Sequence, residues 1–344
     1  RRVGVYTYLA AGCFLLAEVT LVGTNLQAEG LIAVLALTAL AAILLQSYLA
    51  RAHEKLNRIV PPLAMVLSTL PILIGIGLHL RATSSFAREL DLVYETGWPF
   101  VLVMLLAFAC SRVAAYLYRR TAPRWSAAHL FLCGAALIVA AAGFLRMQGL
   151  LTWAEQAPLL MLIPLGYMIA SRLWRGRSPE LPLYWVAHAA TAVILFNALG
   201  ASQQTFRWLA QPVRGETANL LLGLVFVEAA VLYALGMLFR RRSANVYFAT
   251  AAACGALWQW LGYLDVPGAY HTMLYAVLGV GLLESARRMG LEQVLVYRNT
   301  GIGVLATRGK GRAAFESGNV ILFVALLAAF LQGLTRLATQ GTEL

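Results

Sequence analysis

The sequence predicts an all-α fold, a polytopic transmembrane bundle of about eleven helices built from repeated helical hairpins. Three observations predict it. Apolar runs long enough to cross a hydrocarbon layer of roughly 30 Å recur along the whole chain. Hydrophobic residues make up 60% of the 344 positions and charged residues only 12%, beyond what a soluble domain can hide in a core. The basic residues gather in every second connection, the pattern of alternating loops on a charged-inside membrane. The period-2 alternation that a transmembrane barrel needs is missing, so the backbone groups must be satisfied within helices.

The expected spans follow in order. Residues 5–23 are apolar except for Glu18, set in "CFLLAEVTLVG". Residues 31–50 and 61–80 form the next pair, the second carrying Pro71. Residues 98–118 open on Trp98-Pro99, and residues 126–145 are rich in Ala and Gly, which lets helix backbones approach where lipid supplies no hydrophobic drive. Residues 157–173 contain Pro164, and residues 183–200 return across the membrane. The prolines are expected to kink or open their helices locally. Residues 219–239 surround Glu228, residues 247–264 include the small-residue run "YFATAAACGALWQW", residues 269–286 end at Arg287 and Arg288, and residues 319–337 are the last span. The chain thus divides into hairpin repeats over residues 1–288, a basic amphipathic segment over 289–318, and a final helix with a short tail over 319–344.

The formal charge of +12 invites a nucleic-acid reading, which its distribution argues against. Arg51, Lys55 and Arg58, then Arg119, Arg120 and Arg124, then Arg172, Arg175 and Arg177, then 240–242, then the stretch 287–312, share one side with Arg1 and Arg2. About 21 of the 27 Lys and Arg lie there, against about 5 of the 15 acids. The N-terminus and basic loops are therefore expected in the cytoplasm of a bacterial inner membrane, and acid-bearing loops such as "ARELDLVYETG" on the outer face. The partners implied are the bilayer and other proteins of a membrane assembly, with no nucleic acid. The chain begins Arg-Arg without a Met, as expected of a processed or longer polypeptide.

Three basic helix ends resemble one another: "AYLYRRTAPRW", "SRLWRGRSPEL" and "GMLFRRRSANV". Each sets Leu, an aromatic and Arg at the same point, at residues 117–119, 173–175 and 238–240, and "SYLARAHEKLNRIV" is a looser copy upstream. The spacing covers one returning helix pair each time, as duplication of a hairpin would leave it. An aromatic belt followed by arginines also suits any cytoplasmic boundary.

Among the candidate functional residues, Glu228 in "LVFVEAAVLY" is the most pointed. An ionised carboxylate at mid-depth costs a few kcal/mol at least, so such a side chain faces protein, water or a transported ion. Glu228 and Glu18 are candidates for a proton or cation relay, with Arg112 in "ACSRVAAYLY" as a third member. The alternative for each carboxyl is a hydrogen bond to a neighbouring helix, and for Arg112 a snorkel to the interface. Glu284 is spaced to pair with Arg287 or Arg288.

Five histidines raise a haem reading, because imidazole is an axial ligand. No expected span carries two of them, and His129 and His188 both lie a few residues inside the cytoplasmic boundary, where they could meet across one haem. Haem or quinone is the cofactor class this implies. The four cysteines, Cys13, Cys110, Cys133 and Cys254, lie within spans, form no C-x-x-C and read as small packing residues.

The segment "GLEQVLVYRNTGIGVLATRGKGRAAFESG" shows Gly301, Gly303 and Ala306 in a G-x-G-x-x-A arrangement, but a span begins where a dinucleotide fold needs its helix, second strand and acid. Arg298, Arg308, Lys310 and Arg312 are read instead as contacts to an anionic leaflet or a partner. Trp153 and Trp208 in the outer loops are read as interfacial anchors or docking residues. No Ser-His-Asp set, H-E-x-x-H or carboxylate pair stands at catalytic spacing, which disfavours an enzyme. The leading expectation is a non-enzymatic membrane subunit, anchor or sensory module. The alternatives are a proton- or cation-coupled transporter using Glu228 and a haem- or quinone-binding electron-transfer subunit.

Overall fold

The structure is a computed structural model that describes residues 10, 12–14, 16–17, 20, 27–49, 56–83, 94–151, 153–177, 179–200, 217–240, 242–288 and 310–340. Among them there is no strand, and the fold is all-α. Ten helices are delimited: α1 Ala28–Leu49, α2 Leu56–Thr83, α3 Trp98–Thr121, α4 Pro123–Met147, α5 Trp153–Leu173, α6 Glu180–Gly200, α7 Thr217–Arg240, α8 Ala244–Tyr263, α9 Gly268–Arg288 and α10 Lys310–Gln340. Of the first expected span, Ala10, Gly12, Cys13, Phe14, Leu16, Ala17 and Thr20 are helical. Every later expected span coincides with one of the ten.

Seven of these helices are long and apolar enough to cross a membrane: α1 to α5, α7 and α10. A shorter apolar stretch, Glu180–Phe196, lies in α6. Helices α8 and α9 are diluted by polar side chains such as Asn245 and Gln259 in the first and Glu284, Arg287 and Arg288 in the second. Many large apolar side chains are exposed along the helices, and several polar ones are buried. Leu102, Leu173, Phe196, Phe323 and Phe330 are exposed, while Ser111, His129, Gln156, Thr191, Asn219 and Gln259 are buried. Such exposed side chains suit a hydrocarbon solvent, and polar groups are kept toward protein where they have neighbours. The chain is an integral membrane protein.

The chain forms two compact units, residues Arg1–Ile194 and Leu195–Leu344, with the division falling inside α6. In the first, α1 packs on α2 and α3, and α4 packs on α3, α2 and α5. Ile32 and Ala36 of α1, Ile72 and Leu78 of α2, Phe100, Met104 and Cys110 of α3, and Leu132, Ala136 and Val139 of α4 share one core. A single residue, Ala122, separates α3 from α4. Its N–H donates to Tyr118 O at 2.9 Å, and Pro123, which has no N–H to satisfy, starts the next helix. Gly143 admits the Phe100 ring, because a Cβ there would stand 2.7 Å from Phe100 Cε1. Gly134 does the same for Val186 of α6, at 2.6 Å from its Cγ1.

In the second unit α7 packs on α8, α9 on α10, and α8 on α10. The α7–α8 seam is antiparallel and tight: a Cβ on Gly223 would lie 2.3 Å from Trp260 Cδ1, and one on Gly255 3.1 Å from Phe226 Cδ1. Tyr233 and Phe248 meet further along it at 5.2 Å between ring centroids. In α9 and α10, Gly279 and Gly318 face each other backbone to backbone. Val246, Ala286, Ala313 and Ala314 join α8, α9 and α10 in one small core. Asp265 turns α8 into α9 with a positive φ of 53°, a conformation Asp tolerates better than most residues.

Two expectations of local structure are refined. The last helix begins at Lys310, nine residues ahead of the apolar run at 319, because "KGRAAFESG" carries small and helix-favouring residues that extend it. Pro71 and Pro164 lie inside α2 and α5, which run on as single helices through them, and Pro99 sits in the first turn of α3, where its missing N–H costs nothing.

Candidate functional site

Glu228 stands eleven residues into the 24-residue helix α7, so roughly 16–18 Å of helix lies on either side of it. The pairings of Gly223 with Trp260, Phe226 with Gly255 and Tyr233 with Phe248 set the register of the hairpin, and by that register Glu228 is level with Ala253. At the same height Tyr275 of α9 donates its hydroxyl to Cys254 O at 3.0 Å. Glu228 is half-buried, and its Oε2 is sealed from solvent with no hydrogen-bond partner. A buried polar atom left this way costs about 1–3 kcal/mol and marks a position that calls for a proton, an ion or a neighbour in another state.

Of the other relay candidates, one lies in the other compact unit and one outside the described residues. Arg112 lies in the first unit, exposed on α3, where it lines a recess with Arg119, Ser126 and Trp174. Glu18 lies outside the described residues. The two histidines of the haem reading each have their own ring partners. His129 is fully buried and stacks on Tyr118 at 5.6 Å and 24°, with neither ring nitrogen hydrogen-bonded. His188 packs 4.2 Å from Tyr184 and its Nδ1 lies 3.1 Å from Tyr184 O. Among the described residues no group of three or more His, Cys, Asp or Glu is placed to hold a metal ion.

The surface candidates divide in the same way. Arg312 is engaged by its own helix, its Nε donating to Glu316 Oε1 at 2.5 Å, and Tyr247 of α8 donates its hydroxyl to the other oxygen of Glu316. Glu284 pairs with Arg288 at 2.9 Å and lies 4.0 Å from Arg287, as the spacing predicts. Arg298, Arg308 and Trp208, and the side chains of Trp153 and Lys310, lie outside what is described.

Sequence reasoning missed two long-range polar links. Tyr118 Oη donates to Gln46 Oε1 at 2.7 Å in a buried setting, joining α3 to α1 at the basic end. At the opposite end of those helices Tyr94 donates its hydroxyl to Glu29. Burial, with the bond to Glu29 and its charge, pushes the Tyr94 phenol well above its ordinary range. The available signal was a lone Gln in the apolar run "LAAILLQSYL", which needs a partner on another helix.

Cys110 and Cys133 are buried, Cys254 is half-buried and Cys13 is exposed, all as free thiols. Comparisons with protein-family models, with curated proteins and with solved structures return no match to this chain.

Proposed function

We propose that this chain is a non-enzymatic membrane subunit, anchor or sensory module of a larger assembly, held in a bacterial cytoplasmic membrane with its basic helix ends on the cytoplasmic side. The observation that carries the reading is the close packing of helix on helix within each unit. Glycines 134, 143, 223, 279 and 318 bring neighbouring side chains or backbone to distances that leave no room for a methyl group. The inner oxygen of Glu228 meets no solvent. A conduit needs a wet path through such a region, whereas an anchor needs the reverse.

The hairpin is its unit of construction. The helix pairs α1–α2, α3–α4, α7–α8 and α9–α10 are each joined across a basic connection and each pack closely. This supports descent by duplication of one basic-ended hairpin. Gentle extraction from the native membrane followed by mass spectrometry of intact assemblies tests the subunit reading. Companion proteins in fixed ratio are expected, and a monodisperse species of this chain alone refutes it.

A second reading is favoured by one specific observation, the unpartnered Oε2 of Glu228 at mid-helix. In it, Glu228 binds and releases a proton or cation during transport. Flux into liposomes, compared between wild type and Glu228→Gln, decides it: equal flux removes the role. An absorption spectrum of the extracted sample tests the haem or quinone reading, since a colourless, quinone-free protein excludes it.

A further inference from the structure

We infer that the recess between α3, the start of α4 and the α5–α6 turn is a binding site for one anionic phospholipid, its phosphate held by Arg112 and Arg119. The inference rests on the membrane setting alone and goes beyond the subunit reading. Three features of the site converge on that ligand.

The first is unbalanced charge. Arg112 and Arg119 line the recess together with Tyr116, Ser126 and Trp174, and among the described residues no acidic side chain lines it. Neither guanidinium has an ion pair or hydrogen bond to a described residue, unlike Arg288 and Arg312, which are held by Glu284 and Glu316 on their own helices. The Ser126 hydroxyl is already committed to Ala115 O at 2.6 Å, so its proton does not serve an anion and the two arginines supply the donors.

The second is spacing. Residues 112 and 119 are two helical turns apart on one face, about 10.5 Å along the axis, within reach of one headgroup for side chains as long as arginine's. Guanidinium groups bind phosphate oxygens through paired N–H donors, and the acid of the adjoining turn, Glu180, accepts from the Gly176 N–H at 2.7 Å.

The third is what lies beneath. Exposed residues Leu102, Leu105, Ala109, Arg112, Tyr116 and Arg119 follow one another at helical intervals of three and four, so a single outward stripe of α3 runs from apolar to basic. From Arg112 to Leu102 is about 15 Å, the depth of one leaflet's acyl chains. The stripe therefore offers a hydrocarbon track ending in two cations, with Tyr116 and Trp174 at the headgroup level where amphipathic rings reside. A soluble phosphate would fit the cations but make no use of the track.

The test uses the full chain, purified in mild detergent and returned to nanodiscs of phosphatidylcholine with or without phosphatidylglycerol. Intact mass spectrometry reads retained lipid. Wild type is expected to retain one phosphatidylglycerol in preference to phosphatidylcholine, by tenfold or more. Arg112→Gln with Arg119→Gln should abolish that preference. Arg120→Gln, which removes a charge from the same turn but does not line the recess, should leave it within twofold. The pair Arg112→Lys and Arg119→Lys, the fallback should the Gln pair fail to fold by circular dichroism, should keep only part of the preference. Equal retention of both lipids by wild type, or equal loss in the Arg120 variant, overturns the site. So does full displacement of the lipid by millimolar inorganic phosphate, which would make the ligand a free anion.

Discussion

Replacing Gly279 or Gly318 with alanine tests whether α9 and α10 are locked by direct backbone contact. A Cβ on Gly318 would stand 2.9 Å from Gly279 O and 3.1 Å from Leu283 Cγ, and one on Gly279 would stand 2.7 Å from Leu322 Cγ and 3.1 Å from Gly318 O. Ordinary contact begins near 3.5 Å, so the helices must separate by about 0.5 Å, and overpacking of this size costs about 1–3 kcal/mol. Alanine's better helix propensity, about 0.8–1 kcal/mol, offsets this in water. In SDS the separated helices remain helical, so most of that offset cancels and the packing loss is what is read. Gly281, two residues away, has nothing within 4 Å of its would-be Cβ and serves as the control. The assay is SDS titration of detergent-solubilised protein followed by the fluorescence of its eight tryptophans. Gly279→Ala and Gly318→Ala are each expected to lose about 1–3 kcal/mol, and Gly281→Ala to stay within about 0.5 kcal/mol of wild type. The double variant should lose less than the sum, because both methyls open one contact. If all three single variants unfold together, the crossing is not where these helices are held.

Three further outcomes are expected. Tyr118→Phe removes the buried hydrogen bond to Gln46 and should cost about 1 kcal/mol in the same titration; no change would mean the link is idle. Phe100→Ala empties a fully buried site and should cost about 3–5 kcal/mol, and adding Gly143→Ala, whose methyl points at the vacated ring, should restore part of it; a further loss on that addition contradicts the fit. Tyr94 prefers its neutral form when folded, so the stability it contributes is full below about pH 10, the ordinary phenol value, and falls as pH rises above it. Tyr94→Phe should flatten that alkaline decline, and identical slopes between pH 9 and 11.5 for the two proteins would remove the Glu29 interaction from the account.

The helices were legible because a 20-residue apolar run has almost no other solution in lipid, and the ends followed from Arg119, Arg172, Arg240 and Arg287. The start of α10 was not, since Lys310 to Gly318 is polar enough to end a span yet composed of residues that continue a helix. Glu228 was visible from its apolar surroundings, but the unpartnered state of one oxygen depends on which faces of α7 and its neighbours meet. Arg112 was singled out for a charge relay, and only the fold brings Trp174 to the recess it lines. The Tyr118 to Gln46 link joins residues 72 apart in sequence, and no local pattern encodes such a distance.

Glu228 and Arg112 illustrate two different ways of carrying an ionisable group in a membrane chain. Arg112 faces outward on α3 with a second arginine two turns nearer the end, so its charge can be met by a lipid phosphate without opening the protein. By the register of the hairpin Glu228 is level with Ala253, and the carbonyl of the next residue, Cys254, already accepts the Tyr275 hydroxyl. A neutral carboxyl could donate to that carbonyl only by displacing the Tyr275 hydroxyl. Tyr275→Phe should therefore stabilise the protein relative to the usual loss of about 1 kcal/mol for a deleted hydrogen bond if Glu228 moves in to replace it. The double variant Tyr275→Phe with Glu228→Leu measures the exchange: coupling of at least about 0.5 kcal/mol between the two sites is expected, and strict additivity would mean that Glu228 is indifferent to its neighbour on α9.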